Sequence, residues 1–332
     1  MKKFINQVDD ILVESLQGFA KAHADIVKLH LSPNFITRQH KAHNKVALIS
    51  GGGSGHEPLH SGFVGKGMLD AACPGYVFTS PSPDQMLAAA EAVECGKGVL
   101  FIVKNYAGDV MNFEMAAEML SVPNATVLTN DDVAVLNSSY TTGRRGVAGT
   151  VIVEKTLGSL AETGADLAQC VAFGEKVNQR CGSMGVALTS CTVPAAGKPT
   201  FDIADHEIEM GVGIHGEPGR KREKLRPAND IVEDMINAIL HDFETRNISP
   251  SQGVILLVNG FAATPLMELY LLYHAASDQL KQHGINIQRS LVGNYTTALD
   301  MAGASITLCA SDAEILQHWD SPVHTAGLRW GI

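Results

Sequence analysis

The chain has 332 residues, of which 45% are hydrophobic and 18% charged, and its formal net charge is -10. This length and apolar content can build a sizeable core, in two α/β domains or one large one. The acidic balance speaks against a nucleic-acid backbone or an anionic membrane surface as partner, but a local nest of backbone N–H groups could still hold a small anion.

The N-terminal segment carries Ile5, Val8, Ile11, Leu12, Leu16 and Phe19 at helical spacing. Asp9, Asp10 and Glu14 interrupt any signal-peptide core, so an amphipathic helix is predicted there. No later stretch is long and apolar enough for a membrane helix, and a cytoplasmic protein is expected.

Short apolar runs then alternate with helical patterns, the mark of α/β architecture. KVALIS (residues 45–50), GVLFIVK (98–104), ATVLTN (125–130), VILLVN (254–259) and SITLC (305–309) predict buried strands. Residues 83–95, 110–120, 150–162, 230–244 and 265–283 predict helices, with Ser82-Pro83 and Thr264-Pro265 as starts. The expected fold is two α/β domains with open mixed sheets flanked by helices, divided as residues 1–183 and 184–332. Residues 192–219 break the rhythm with three prolines and many glycines. Extended pieces near 201–203 and 207–214 predict a β-ribbon in the second domain. The charged run GRKREKLR (219–226) is read as a solvated linker.

The six cysteines are scattered without a C-x-x-C pair, so free buried thiols are expected and no metal site is. No Gly-Lys pair is followed by Ser or Thr, which excludes a Walker A loop. SGGGSGHEP (50–58) also fits the dinucleotide fingerprint G-x-G-x-x-G poorly. What that segment does offer is Gly53, Ser54, Gly55 and His56, read as a Gly-rich loop at the carboxyl end of a strand, where open α/β sheets bind ligands. KNYAGDVMNFE (104–114) follows another strand and carries Lys104 and Asp109. Asp109 is either a helix N-cap or a general base for a hydroxyl, and Lys104 either pairs with it or binds a substrate oxygen. GVGIHGEPG (211–219) places His215 between glycines, where a neutral imidazole nitrogen could attack a carbonyl.

Together SGGGSGHEP, ACPGYVFTSPSPDQM, KNYAGDVMNFE, GRRGVAGT, CTVPAAGKP and GVGIHGEPG, with the later ATPLMELY, LDMAGASITL and WDSPVHT, resemble the substrate-binding subunits of dihydroxyacetone kinases. The motifs stand in that family's order over nearly the whole chain. The resemblance implies a homodimer that binds dihydroxyacetone. His215 would form a hemiaminal with the keto carbon, His56 and Asp109 would flank the phosphorylated hydroxyl, and Gly53, Ser54, Gly55, Ser80 and Lys104 would hold the substrate.

With few residues after His324, the resemblance places the nucleotide and magnesium on a separate donor subunit, leaving no cofactor in this chain. In the bacterial type, that donor is recharged from phosphoenolpyruvate through the phosphotransferase system. VNGFAATPLMELY (258–270) departs from the family's usual VNNLG-type sequence, so an altered surface or altered donor docking is expected there, with substrate binding retained. The alternative is a non-catalytic paralogue that binds dihydroxyacetone and acts as coactivator of a transcription regulator.

Overall fold

A computed structural model describes residues 2–135 and 141–331. After helix α1 (Ile11–Ala22), the chain forms strands β1 (Val27–His30), β2 (Phe35–Arg38), β3 (Ala47–Ser54), β4 (Gly65–Lys66) and β5 (Ala71–Val77). Helix α2 (Pro83–Val93), β6 (Val99–Lys104), α3 (Ala107–Met119) and β7 (Asn124–Thr129) follow. These strands, apart from β4, make one sheet in the order β1-β2-β5-β3-β6-β7. It is parallel from β5 to β7, with the β1–β2 hairpin added antiparallel.

Both faces of this sheet are covered, which explains why its central strands read as unbroken apolar runs rather than alternating ones. Ile49, Val99, Phe101 and Val103 face the layer of α2 and α3. Leu48, Leu100 and Ile102 face the other way, into a core shared with the rest of the molecule. As expected, α2 begins at the Ser82-Pro83 signal: Ser82 and Gln85 form a reciprocal capping box with Pro in the first turn.

Helices α4 (Gly149–Glu162) and α5 (Leu167–Gln179) lead to a second sheet. Its strands are β8 (Cys181–Ala187), β9 (Glu207–Met210) and β10 (Lys221–Lys224), then, past α6 (Ala228–Thr245), β11 (Val254–Gly260). Helix α7 (Leu266–Gln282), β12 (Ile287–Gly293) and β13 (Gly303–Ala310) complete it, in the order β10-β9-β8-β13-β11-β12. Only β11 and β12 run parallel. Helix α8 (Ala313–Asp320) precedes β14 (Val323–Thr325) and β15 (Arg329–Trp330), and β14 pairs with β4, returning the chain end to the first sheet's side.

Every residue of α4 except Leu160 and Glu162 is buried. Such a helix has no solvent face. Its Val151, Ile152, Val153 and Leu157 share one core with Leu48 and Ile102 of the first sheet and Ile255, Leu257 and Cys309 of the second. Glu154, Lys155 and Thr156 are therefore polar groups inside the protein.

The expected ribbon is present with a different second strand. β9 pairs antiparallel with β10, so the charged run is not a free linker, and residues 201–203 are not a strand. A lysine- and arginine-rich edge strand suits its position, since charge blunts pairing with another chain, and Arg222 meets Glu209 across the pair at 3.1 Å. The extended piece ends at Met210 because Gly211 turns the chain at φ 83.

Candidate functional site

The first three glycines of SGGGSGHEP are strand and not loop, and only Gly55 and His56 turn out of it. β3 continues through Ser54, pairing Gly51 with Cys73, Gly52 with Pro74 and Gly53 with Gly75 of β5. Side chains would prevent this approach: a Cβ on Gly51 would lie 2.5 Å from the Cys73 carbonyl oxygen, and one on Gly52 2.3 Å from Lys104 Nζ. At Gly53 the obstacle is backbone, with Thr79 N 2.6 Å and Phe78 C 2.8 Å from the added carbon. Gly53→Ala is expected to destabilise the protein by about 1–3 kcal/mol, because main chain must shift to admit it. An unchanged denaturant midpoint would contradict this close packing.

A cavity of about 640 Å³ opens where β3 and β6 end, lined by Gly53, Phe78, Ser80, Tyr106, Asp109, His215 and Glu217 among others. Ser80 lies against Gly108, whose added Cβ would be 2.8 Å from the Ser80 hydroxyl. Ser54 and Gly55 are turned to other tasks. The Ser54 hydroxyl donates to the Gly75 carbonyl at 2.7 Å, and Gly55 N–H donates to the Glu57 carboxylate at 3.0 Å. Both border a neighbouring, mainly apolar cavity under α1, with which the site shares only Gly53.

His56 is 1% exposed, so it is no idle surface histidine. Its Nδ1 lies 2.7 Å from the Thr297 carbonyl oxygen. A carbonyl can only accept, so Nδ1 carries the proton and Nε2 keeps its lone pair. That Nε2 is buried without a hydrogen-bond partner. Burial, then the positive charges of His215 and Lys104, lower the imidazole pKa well below 6.5, leaving a neutral ring. Its plane stacks on Phe78 at 5.0 Å between centroids.

Asp109 is the third residue of α3, and the position before the helix is Tyr106, which makes no side-chain cap. The N-cap alternative is thereby excluded. The Asp109 carboxylate lies in the first turn, where the helix dipole favours negative charge, and its side chain is 5% exposed. Lys104 closes β6 and is buried behind the glycine strand, with Nζ 2.9 Å from His60 Nε2, 3.3 Å from the Gly51 carbonyl and 3.6 Å from Asp109 Oδ2.

The segment after β9 carries His215 to this sheet end. The ring meets three aromatic neighbours edge-on, with centroids 4.6 Å from His56, 4.7 Å from Tyr106 and 5.0 Å from Phe78. Its Nδ1 is 2.8 Å from Glu217 Oε1, and its backbone N–H donates to Glu217 Oε2 at 2.9 Å. Nδ1–H donates to the carboxylate, so in the neutral ring it is Nε2 that keeps the lone pair. Gly213 makes room for this clasp, since a Cβ there would sit 2.0 Å from Glu217 Oε2. Beneath it, buried Arg145 donates to Gly211 O at 2.8 Å and to Asp132 at 2.7 Å, anchoring the segment.

Sequence reasoning missed Glu217, although it stands two residues after His215 in the same motif. A carboxylate that close to an exposed-looking histidine is the usual orienting partner of a nucleophilic or basic imidazole. Burial works against the Glu217 charge, but His215 and then Arg145 outweigh it and draw the pKa from 4.5 to about 2. A depressed folded-state pKa adds stability above the unfolded value and loses it as pH falls through the folded one. Glu217→Gln should therefore reduce the acid loss of stability between pH 4.5 and about 2, by about one proton in slope. An identical slope in the variant would show that Glu217 is not the charged partner of His215.

Among the described residues, no group of three His, Cys, Asp or Glu side chains is placed to hold a metal ion, and no helix is long and apolar enough to cross a membrane. Fold and site together define an α/β protein with two six-stranded sheets and a cavity lined by a carboxylate-clasped histidine and a buried aspartate. The chain belongs to the Dak1 family, whose domain matches residues 17–327. It is 49% identical, over the full length of both chains, to the Escherichia coli dihydroxyacetone-binding subunit of a PEP-dependent dihydroxyacetone kinase. The solved structure of a dihydroxyacetone kinase operon co-activator superposes on 98% of this chain and 100% of its own, with a TM-score of 0.89 and 32% identity. The dihydroxyacetone kinase of C. freundii, solved with AMP-PNP and Mg2+, covers 99% of this chain at a TM-score of 0.87 and 32% identity, whereas this chain spans 61% of it.

Proposed function

We propose that this chain is the dihydroxyacetone-binding subunit of a dihydroxyacetone kinase, holding the triose as a covalent hemiaminal on His215. The observation that carries the reading is the clasp of His215 by Glu217, which occupies Nδ1 and leaves Nε2 as the nitrogen available for reaction, in a cavity shared with Asp109. Nε2 would donate its pair to the keto carbon while the carbonyl π pair moves to oxygen; the proton that this oxygen gains is matched by the one the ring gives up from Nδ1, so the hemiaminal is neutral. Glu217 would balance the imidazolium charge formed on the way. A glycerol-like polyol has no carbonyl for this bond, so covalent capture would select the ketone more sharply than hydrogen bonds alone.

Asp109 would then take the proton of the substrate hydroxyl as that oxygen attacks the phosphorus, with the neutral His56 accepting a hydrogen bond or sharing that role. Gly53, Ser80 and Lys104 would orient the bound triose, and Ser54 and Gly55 would support the glycine wall behind it. The phosphoryl donor, with its nucleotide and magnesium, would be a separate subunit, recharged from phosphoenolpyruvate through the phosphotransferase system. The dihydroxyacetone-binding subunit of a PEP-dependent kinase among the relatives supports this. A cytoplasmic homodimer completes the proposal and is checked by sedimentation.

The likeness to an operon co-activator favours a second reading, in which the bound triose is sensed and not phosphorylated. The 49% identity to a kinase subunit, against 32% to the co-activator, supports the kinase. Incubation with dihydroxyacetone, donor subunit and its phosphoenolpyruvate-driven recharging system should yield triose phosphate. A folded, substrate-binding sample that yields none would leave the sensor.

A further inference from the structure

Behind the glycine strand lies a row of buried ionisable groups that the proposed chemistry does not use. Glu154 of α4 is fully buried, with Oε1 2.5 Å from His60 Nδ1. His60 Nδ1 is also 2.9 Å from Ser50 Oγ, and that hydroxyl donates its own proton to the Ile102 carbonyl at 2.6 Å. On the other side of the ring, Nε2 is 2.9 Å from the Lys104 ammonium.

These partners permit one arrangement of protons. An ammonium has no lone pair, so Nε2 must accept. Ser50 has spent its proton, so Nδ1 must donate. Burial first, then the charges of Lys104 and His56, hold the His60 pKa well below 6.5, so the ring carries this single proton. Burial pushes the Glu154 carboxyl up to about 8 against the pull of Lys104. In either charge state Oε1 accepts from Nδ1–H.

We propose that His60 and Glu154 are positioning residues that hold the Lys104 ammonium away from Asp109. Lys104 lies 2.9 Å from His60 but 3.6 Å from Asp109 Oδ2, although two opposite charges in a buried site attract strongly. The hydrogen bond to His60 sets that separation, and Glu154, the nearer of the two acceptors on Nδ1, holds the ring in the orientation and tautomer that make the bond. Without Glu154, Nδ1–H keeps only the longer contact to the Ser50 hydroxyl, and a ring freed to turn or to shift its proton can present N–H to Lys104. That proton would face the ammonium and drive it onto Asp109, closing the ion pair and occupying the carboxylate. The idea rests on the reading of Asp109 as the base.

The test has two arms. In the full chain labelled with 15N-histidine, His60 should show a protonated Nδ1 and an unprotonated Nε2. A protonated Nε2 in the wild-type protein overturns the proposal, and this arm needs neither donor nor activity. In the phosphotransfer assay, Glu154→Leu should lower kcat about 100-fold, the scale of a displaced catalytic group. Its KM for dihydroxyacetone should change far less than kcat, since the covalent bond to His215 and not Lys104 carries most of the hold on the triose. Glu154→Gln, whose amide oxygen still accepts from Nδ1–H, should restore most of the rate. A Glu154→Leu kcat near wild type, or a Glu154→Gln loss as deep as that of Leu, sinks the idea. Absence of transfer in the wild-type protein would instead sink the kinase reading, with the tautomer still deciding the arrangement.

Discussion

Replacing His215 by alanine is expected to abolish the covalent adduct with dihydroxyacetone. Two imidazole nitrogens at the site keep free lone pairs, Nε2 of His56 and Nε2 of His215. Only His215 lines the cavity, with a side chain 20% exposed, whereas His56 is 1% exposed and pinned between Thr297 and Phe78. Glu217 also prepares His215 in a way that nothing prepares His56: it accepts the hydrogen bond from Nδ1–H and sits ready to stabilise positive charge on the ring. Native mass spectrometry should show one triose on the wild-type chain and none on His215→Ala, while His56→Ala keeps it. Phosphotransfer should fall more than about 100-fold in His215→Ala, because the substrate hydroxyl is no longer held against the base. An undiminished adduct in His215→Ala would refute the assignment.

The second large effect is expected at Asp109. Asp109→Asn keeps the shape of the side chain and removes both the negative charge and the ability to take a proton. The adduct on His215 should persist, with KM little changed, while kcat falls about 100- to 10,000-fold, the range of a lost general base. The carboxylate's burial and its place in the first turn of α3 suit it to this work, since both hold a defined, water-poor geometry. Transfer near the wild-type rate would mean that Asp109 serves only the helix dipole and Lys104.

The alternation of apolar runs with helical patterns was enough to locate β6, β11 and β13, where burial on both sheet faces demands such runs, and α2, α4, α6 and α7; β7 was located too, although as an edge strand it is only partly buried. The same local logic singled out His56, Asp109 and His215, each on a motif next to a strand or among glycines. It misjudged residues 50–54 and 219–226 for a common reason. Glycines and charges are poor strand formers in isolation, and only pairing with β5 and β9 makes them strands.

The sequence by itself determined an acidic α/β protein without a nucleotide loop, with three motif-borne candidates for chemistry and a family likeness over nearly its whole length. Only the tertiary structure decided how those candidates work. The tautomers of His56, His215 and His60 depend on Thr297, Glu217, Glu154 and Lys104, which are up to 241 residues away along the chain. A proton's place on an imidazole is set by the acceptor that the fold brings within hydrogen-bond reach, and residue type and spacing along the chain do not encode that contact.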